Sequence, residues 1–301
     1  MAIGLYTHVD SSRMEDVVDL VSNIDYTSTP FLSSIGEATA SNTLHEWQTD
    51  TLTDAGDNAG IEGADVSVAD IAGPTRVNNV VQMFQKTVTV SDTEMALPHY
   101  GIDNPMNYQT TKRLKEMARD MEKALIAGTR ASGNSGVARR MNGAIALITT
   151  NKTARASGTS LSEDEFNAMI AGIFDGGTDS SADLVLTGSY LKRVVDKWTT
   201  NVTRNIDASQ KRQILSITFY ESSFGVHEFR VSREVPTAAG TAALLAVDTS
   251  KWRVAYLTGR RTAATPLAKT GSATKVLIEG EATLEALNEK SSAYRGGYFV
   301  G

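Results

Sequence analysis

The chain has no cysteine among its 301 residues. That excludes disulfides, thiolate metal sites and a cysteine nucleophile, and it fits a reducing compartment. Histidine is scarce as well. His8, His45, His99 and His227 are dispersed, and none has a second ligand two, three or four positions on. No metal centre and no cofactor are therefore expected. No apolar run approaches the roughly 18 residues that a membrane span needs. The first residues, Met-Ala-Ile-Gly-Leu-Tyr, lack the basic region and apolar core of a signal peptide. These absences lead us to expect a soluble cytoplasmic product that does not meet a membrane.

Catalytic signatures are missing too. His227-Glu228 is not followed by the second histidine of a zinc-protease motif. Gly133-Asn-Ser-Gly136 lacks the Lys-Ser/Thr that completes a phosphate loop. Thr187-Gly188-Ser189-Tyr190 lies between a strand pattern and a helix pattern, as a nucleophile elbow would, but the second glycine is absent. Ser189 therefore reads as a helix N-cap. The acids Glu163, Asp164 and Glu165 open a helix and complement its dipole. Arg139-Arg140 and Arg260-Arg261 have no aromatic residues interleaved, so sequence-specific nucleic-acid binding has no support. The chain is not expected to be an enzyme.

What is present is a chain of 41% hydrophobic and 21% charged residues, enough for a sizeable core. The net charge of -6 is unevenly spread. Residues 1–75 carry 13 acids against one base, Arg13. Residues 105–140 carry eight bases against three acids, and residues 251–275 carry six bases and no acid. Such asymmetry suggests that one part of the chain meets another, on the same subunit or a neighbour.

The clearest element is a helix over residues 104–128. Asn104 suits the N-cap, Pro105 the first turn and Gly128 a left-handed stop. Leu114, Met117, Met121 and Leu125 form an apolar stripe. At 1.5 Å per residue the helix is roughly 35 Å long. Before it, residues 43–52 and 79–91 read as strands, with the acidic, glycine-rich stretch 53–76 between them. Such a hairpin has no core of its own and must lie on something else. Residues 1–40 read as an arm with a helical face at Met14, Val17, Val18 and Val21. After the helix come a short apolar run at 141–148, a helix at 161–175 with a Ser162/Glu165 capping box, and a buried strand from Leu184. A helix at 189–199, strands within 213–235, 244–248 and 252–257, and a long strand over 274–287 complete the chain.

This order of elements resembles the major capsid proteins of tailed phages, the Hong Kong 97-type fold. The carriers are the helix 104–128 with Asn142-Gly-Ala-Ile after it, the strand–helix Asp183-Leu-Val-Leu-Thr-Gly-Ser-Tyr, and the tail from Lys251-Trp-Arg-Val-Ala-Tyr-Leu to Ile278-Glu-Gly-Glu-Ala-Thr-Leu. The resemblance covers nearly the whole chain and implies an α+β capsid fold. Its parts would be an N-terminal arm at 1–42, an extended loop at 43–96, a spine helix with peripheral domain at 97–150, an axial domain at 151–270 and a peripheral C-terminal strand at 271–301. It implies a self-assembling icosahedral shell of hexamers and pentamers around phage double-stranded DNA, bound without sequence specificity, in a virion assembled in the host cytoplasm. Portal and decoration proteins are the partners it implies. The chain begins almost at the arm, which allows for a separate scaffold protein. An encapsulin-like nanocompartment has the same fold and is the alternative; an α/β hydrolase using Ser189 is a distant third.

Two site expectations follow from the resemblance and the charge pattern. The acidic arm and loop are expected against basic surfaces of neighbouring subunits, with Arg113, Arg119, Arg260 and Arg261 as contacts. Some family members join subunits through a lysine–asparagine isopeptide bond from the extended loop. Lys86 is the sole lysine before Lys112 and so the sole candidate here. It lies in the strand stem and no matching asparagine is evident, so no cross-link is expected.

Overall fold

The structure is a computed structural model that describes residues 28–53, 55–63, 65, 73–99, 101–176, 181–198, 206–207, 212–213, 218–236 and 241–299. The helical face expected at residues 14–21 lies outside them. In chain order come β1 (Gly36–Ala40), β2 (Leu44–Thr49), β3 (Thr75–Val80), β4 (Gln82–Ser91), α1 (Asp92–Ala96), α2 (Pro105–Ala127) and α3 (Ala144–Leu147). Then follow β5 (Lys152–Thr159), α4 (Glu163–Asp175), β6 (Leu184–Thr187), α5 (Ser189–Asp196) and the paired two-residue strands β7 (Ile206–Asp207) and β8 (Arg212–Gln213). The remainder is β9 (Phe219–Ser222), β10 (Gly225–Val231), β11 (Thr241–Val247), β12 (Trp252–Leu257), β13 (Ala263–Pro266), β14 (Ala273–Ala286) and β15 (Ala293–Phe299).

Two larger sheets share one core. The first is built on β14, whose 14 residues span about 43 Å at 3.3 Å per residue. Along one edge runs β4, from Ser91 opposite Ala273 to Gln82 opposite Ala282. Along the other lie β13 and then β12, with β1 parallel to β12 outside them. The second sheet has the order β5-β15-β11-β6-β10-β9. Its central strands are buried on both faces, which is why they read as continuous apolar runs. Leu184, Leu186, Ala243, Leu245 and Val247 face the core shared with the first sheet. Val185, Ala242, Leu244 and Ala246 face a second core under α4 and α5. This is the period of two at work.

Strands β12 and β13 lie in the first sheet and β15 lies in the second. These pairings are long-range, which local patterns do not encode. The expected strand at 79–91 is two: β3 pairs with β2, and β4 pairs with β14.

Helix α2 starts as expected, with the Asn104 side chain accepting from the Met106 and Asn107 N–H groups at 3.0 and 3.2 Å. Its stripe differs. Leu114 is 37% exposed, whereas Met106, Met117, Met121, Glu122, Leu125 and Ile126 are buried. At about 100° per residue, the buried sector turns by roughly a third of a revolution between the first and last turns. Helix α2 packs on β4 and into the shared core, and Leu114 falls outside its buried sector. Gly128 does not stop the helix in the left-handed region; its φ is -57°. The reason for glycine is space. A Cβ there would stand 2.4 Å from the Ala124 carbonyl oxygen, and one on Gly143 would stand 2.5 Å from the Gly128 nitrogen. The two backbones meet through Gly143 N–H donating to the Gly128 carbonyl at 2.9 Å. Helix α4 keeps its expected cap and buried face, Phe166, Met169, Ile170 and Ile173.

Candidate assembly interface

The arginines expected at subunit contacts are largely engaged within the chain. Arg260 binds Glu279 at 2.7 Å and Glu281 at 3.1 Å. Glu281, only 6% exposed, also takes Arg139 at 3.1 Å. This network ties β14 to the β12–β13 connection and to the turn after α2. Arg261 lies 4.8 Å from the Tyr256 ring centroid and donates to both oxygens of Glu37, at 2.7 and 2.9 Å. Acid from the first quarter does meet a late arginine, then, but on the same chain. Arg113 pairs with Glu116 one turn along α2 at 2.6 Å, and Arg119 is half-buried on the same helix. Lys86 is in β4, opposite Ile278, and pairs with Asp120 of α2 at 2.6 Å.

A contact that sequence reading missed anchors the exit of the N-terminal segment. Glu122 of α2 is fully buried. Its two oxygens accept from the Phe31 and Leu32 N–H groups at 2.8 and 2.7 Å. Phe31 is fully buried edge-on to Trp252, with centroids 6.2 Å apart. Burial pushes the Glu122 carboxyl above its ordinary value, against the two N–H groups that favour its charged form, while Glu234 adds to the rise. The turn is extended by Arg230, which donates to Ser34 Oγ at 3.0 Å. Elsewhere, burial alone would raise the Glu289 carboxyl, but hydrogen bonds from Thr150 and Thr149 outweigh it and hold the group low. That carboxylate caps the chain between α3 and β5.

The β2–β3 hairpin is welded to the last turns of β14. Trp47 Nε1 donates to the Ala286 carbonyl at 2.7 Å, Asn79 Nδ2 to Leu284 at 2.9 Å, and Thr283 Oγ1 to Val80 at 3.0 Å. Beyond Thr49 the described residues form no helix or strand until Thr75. Leu52 and Ile61 stand there 98% and 84% exposed. Apolar side chains held so far from a core are candidates for contact with another molecule.

Chemistry has little footing elsewhere. Gly188, not Ser189, is the N-cap of α5; Ser189 begins the helix. His227 is fully buried, its Nδ1 against the Ala182 carbonyl and its Nε2 2.7 Å from Ser222 Oγ. Burial lowers its pKa and keeps the ring neutral, so it serves as a tether for the β9–β10 hairpin. Among the described residues no cluster of three or more His, Asp or Glu could hold a metal ion.

The fold is shared with solved capsids. The capsid of Myoviridae phage XM1 superposes with a TM-score of 0.62 at 14% identity, covering 98% of this chain and 99% of that one. The capsid of an empty GTA particle gives 0.66 at 14% identity, over 98% and 100%. The SrpI encapsulin of Synechococcus elongatus PCC 7942 gives 0.63 at 10% identity, over 99% and 97%. In sequence, the major capsid protein of Escherichia phage Phieco32 is 38% identical over 101 residues, 33% of this chain and 29% of that protein. The family model for the SU10 major capsid protein matches residues 3–296. With a match over nearly its full length and the Hong Kong 97-type fold in place, the chain belongs to the SU10 major capsid protein family.

Proposed function

We propose that this protein assembles with copies of itself into the closed icosahedral shell that encloses phage double-stranded DNA. The family match over residues 3–296 carries the reading. The first sheet with α2 is the peripheral domain and the second sheet with α4 and α5 the axial domain, so the chain crosses between them more often than its sequence suggests. The exposed segment beyond Thr49 orders only against a neighbour. The intrachain pairs of Arg260 and Arg261 leave their charge available at the rim of contacts rather than at their centre. Lys86 is held by Asp120 under α2 and forms no cross-link. Portal, decoration and separate scaffold proteins are the partners, assembly takes place in the host cytoplasm, and the protein needs no cofactor and catalyses no reaction. The test is electron microscopy of the purified protein with analysis of particle contents. Closed shells holding nuclease-protected DNA when made beside packaging proteins agree with the proposal. Shells that retain a protein cargo and no DNA would favour the nanocompartment reading, which the likeness to the SrpI encapsulin keeps in view.

A further inference from the structure

The hydrogen bonds that hold the β2–β3 hairpin to β14, made by the side chains of Trp47, Asn79 and Thr283, involve no titratable group. A contact of another kind lies beside them. His45 of β2 places its Nε2 3.6 Å from Oε2 of Glu285 on β14. That is too long for a hydrogen bond. The nitrogen is buried and has no hydrogen-bond partner among the described residues. The two side chains are only 14% and 10% exposed. A buried polar atom left unpaired is uncommon and calls for an explanation.

The surroundings single out one charge for that nitrogen. Successive strand residues face opposite ways. His45 and Trp47 therefore share one face of the hairpin with Asn79, the register partner of His45, and the His45 and Trp47 rings lie 5.7 Å apart. The charges on the other face are engaged there: Arg76 stands 3.4 Å from Glu46, and Arg130 donates to Asn78 at 2.6 Å. In the first sheet, Arg253 of β12 is opposite Glu285 in register, but it is exposed. Among the described residues, the ion-pair partner of Glu285 is His45.

We propose that His45 and Glu285 form a proton-operated clamp at the root of the hairpin. Histidine is the side chain whose charge ordinarily changes between about pH 5 and 8. An added proton makes the ring a cation beside a largely buried carboxylate. A closure of less than about 1 Å then brings the pair to the roughly 2.7–2.9 Å of a charge-assisted hydrogen bond. The unpaired nitrogen is satisfied, and β2 is drawn onto the end of β14. Lifting the hairpin would separate the two charges, so the proton favours the closed root, and by linkage the root opens more readily as pH rises. The hydrogen bonds of Trp47, Asn79 and Thr283 do not titrate, so the clamp changes the grip on the hairpin and not its fold. The exposed segment beyond Thr49 hangs from these two strands, and its reach follows the state of the root. The clamp acts within one subunit and does not depend on shell formation.

Hydrogen exchange tests the clamp on the full-length wild-type chain and on the variants His45→Gln and Glu285→Gln. It is followed from about pH 5.5 to 8, in conditions where light scattering shows unassembled subunits throughout. Protection of the β2 and β3 amides, corrected for the intrinsic exchange rate, is taken relative to that of α4. The α4 amides carry any pH dependence of the whole subunit, that of Glu122 included. In wild type the relative protection of the hairpin should fall by about three- to tenfold as pH rises, and in both variants it should stay level. Level protection in wild type overturns the clamp, and so does a fall that persists in both variants. A fall lost in His45→Gln but kept in Glu285→Gln overturns Glu285 as the partner.

Discussion

At Glu122 two forces oppose one another. Two backbone N–H groups favour its anion, and complete burial favours its neutral acid; burial wins, and the folded pKa lies above 4.5. The sign of the consequence follows by linkage. Below the ordinary value both folded and unfolded chains hold the proton, and the contribution to stability is complete. Between that value and the raised one, the folded chain keeps a proton that the unfolded chain has lost, so stability falls as pH rises, by at most about 1.4 kcal/mol per pH unit. Glu122→Gln should remove this slope. Urea midpoints measured across that window should fall with pH for wild type and stay flatter for the variant; parallel curves would refute the assignment. Glu281 presents a different case. It is shared by Arg139 and Arg260, so Glu281→Ala leaves two guanidinium groups short of a partner and should cost about 1–3 kcal/mol. Glu279→Ala, whose partner Arg260 keeps Glu281, should cost less. Urea unfolding of the pair checks the ranking. Neither carboxylate's role is visible in sequence. Glu122 sits in a run of alternating charges, and only its helical position beside Met121 and Leu125 hints that it faces inward.

At the scale of elements, local chemistry was legible and packing was not. The caps at Asn104 and Ser162, the inward face of α4 and the extent of β14 follow from residue type and spacing. Leu114 was misplaced because the stripe was taken as constant, whereas the buried sector turns along α2. Gly128 was read as a conformational stop because a single chain shows no sign that Gly143 lies against it. That contact gives a paired prediction. Gly143→Ala sets a Cβ 2.5–2.8 Å from three backbone atoms that cannot yield, and should destabilise by about 3 kcal/mol. Gly172→Ala in α4 meets nothing within 4 Å and should stabilise by about 0.5–1 kcal/mol. Thermal melts of the two variants should shift in opposite directions; a shared direction would contradict the packing described here.

For the whole molecule, the capsid resemblance was readable from the order of elements, whereas the partition between the two sheets was hidden in pairings such as Trp252 with Ala286 and Tyr294 with Lys152. The charge asymmetry was also readable, but not its destination. Arg261 could serve Glu37 of its own chain, a neighbour's acid, or both. Exchanging the pair, Glu37→Arg with Arg261→Glu, separates these. If the bond acts within the subunit, the exchange restores the stability that either single reversal loses, a difference within about 1 kcal/mol for so exposed a pair. A subunit of full stability that assembles poorly would assign Arg261 to an intersubunit contact.

If the chain builds a shell with copies of itself, as proposed, the subunit is incomplete alone. Leu52 and Ile61 stand exposed beyond Thr49, and among the described residues β4 pairs with β14 alone. Cryo-electron microscopy and light scattering of the purified wild-type chain, across concentration and from about 0.1 to 1 M salt, test it most directly. The expected result is closed isometric shells with pentameric vertices and an assembly yield that changes with salt. A chain that stays monomeric and fully folded at every concentration and salt would overturn the shell reading.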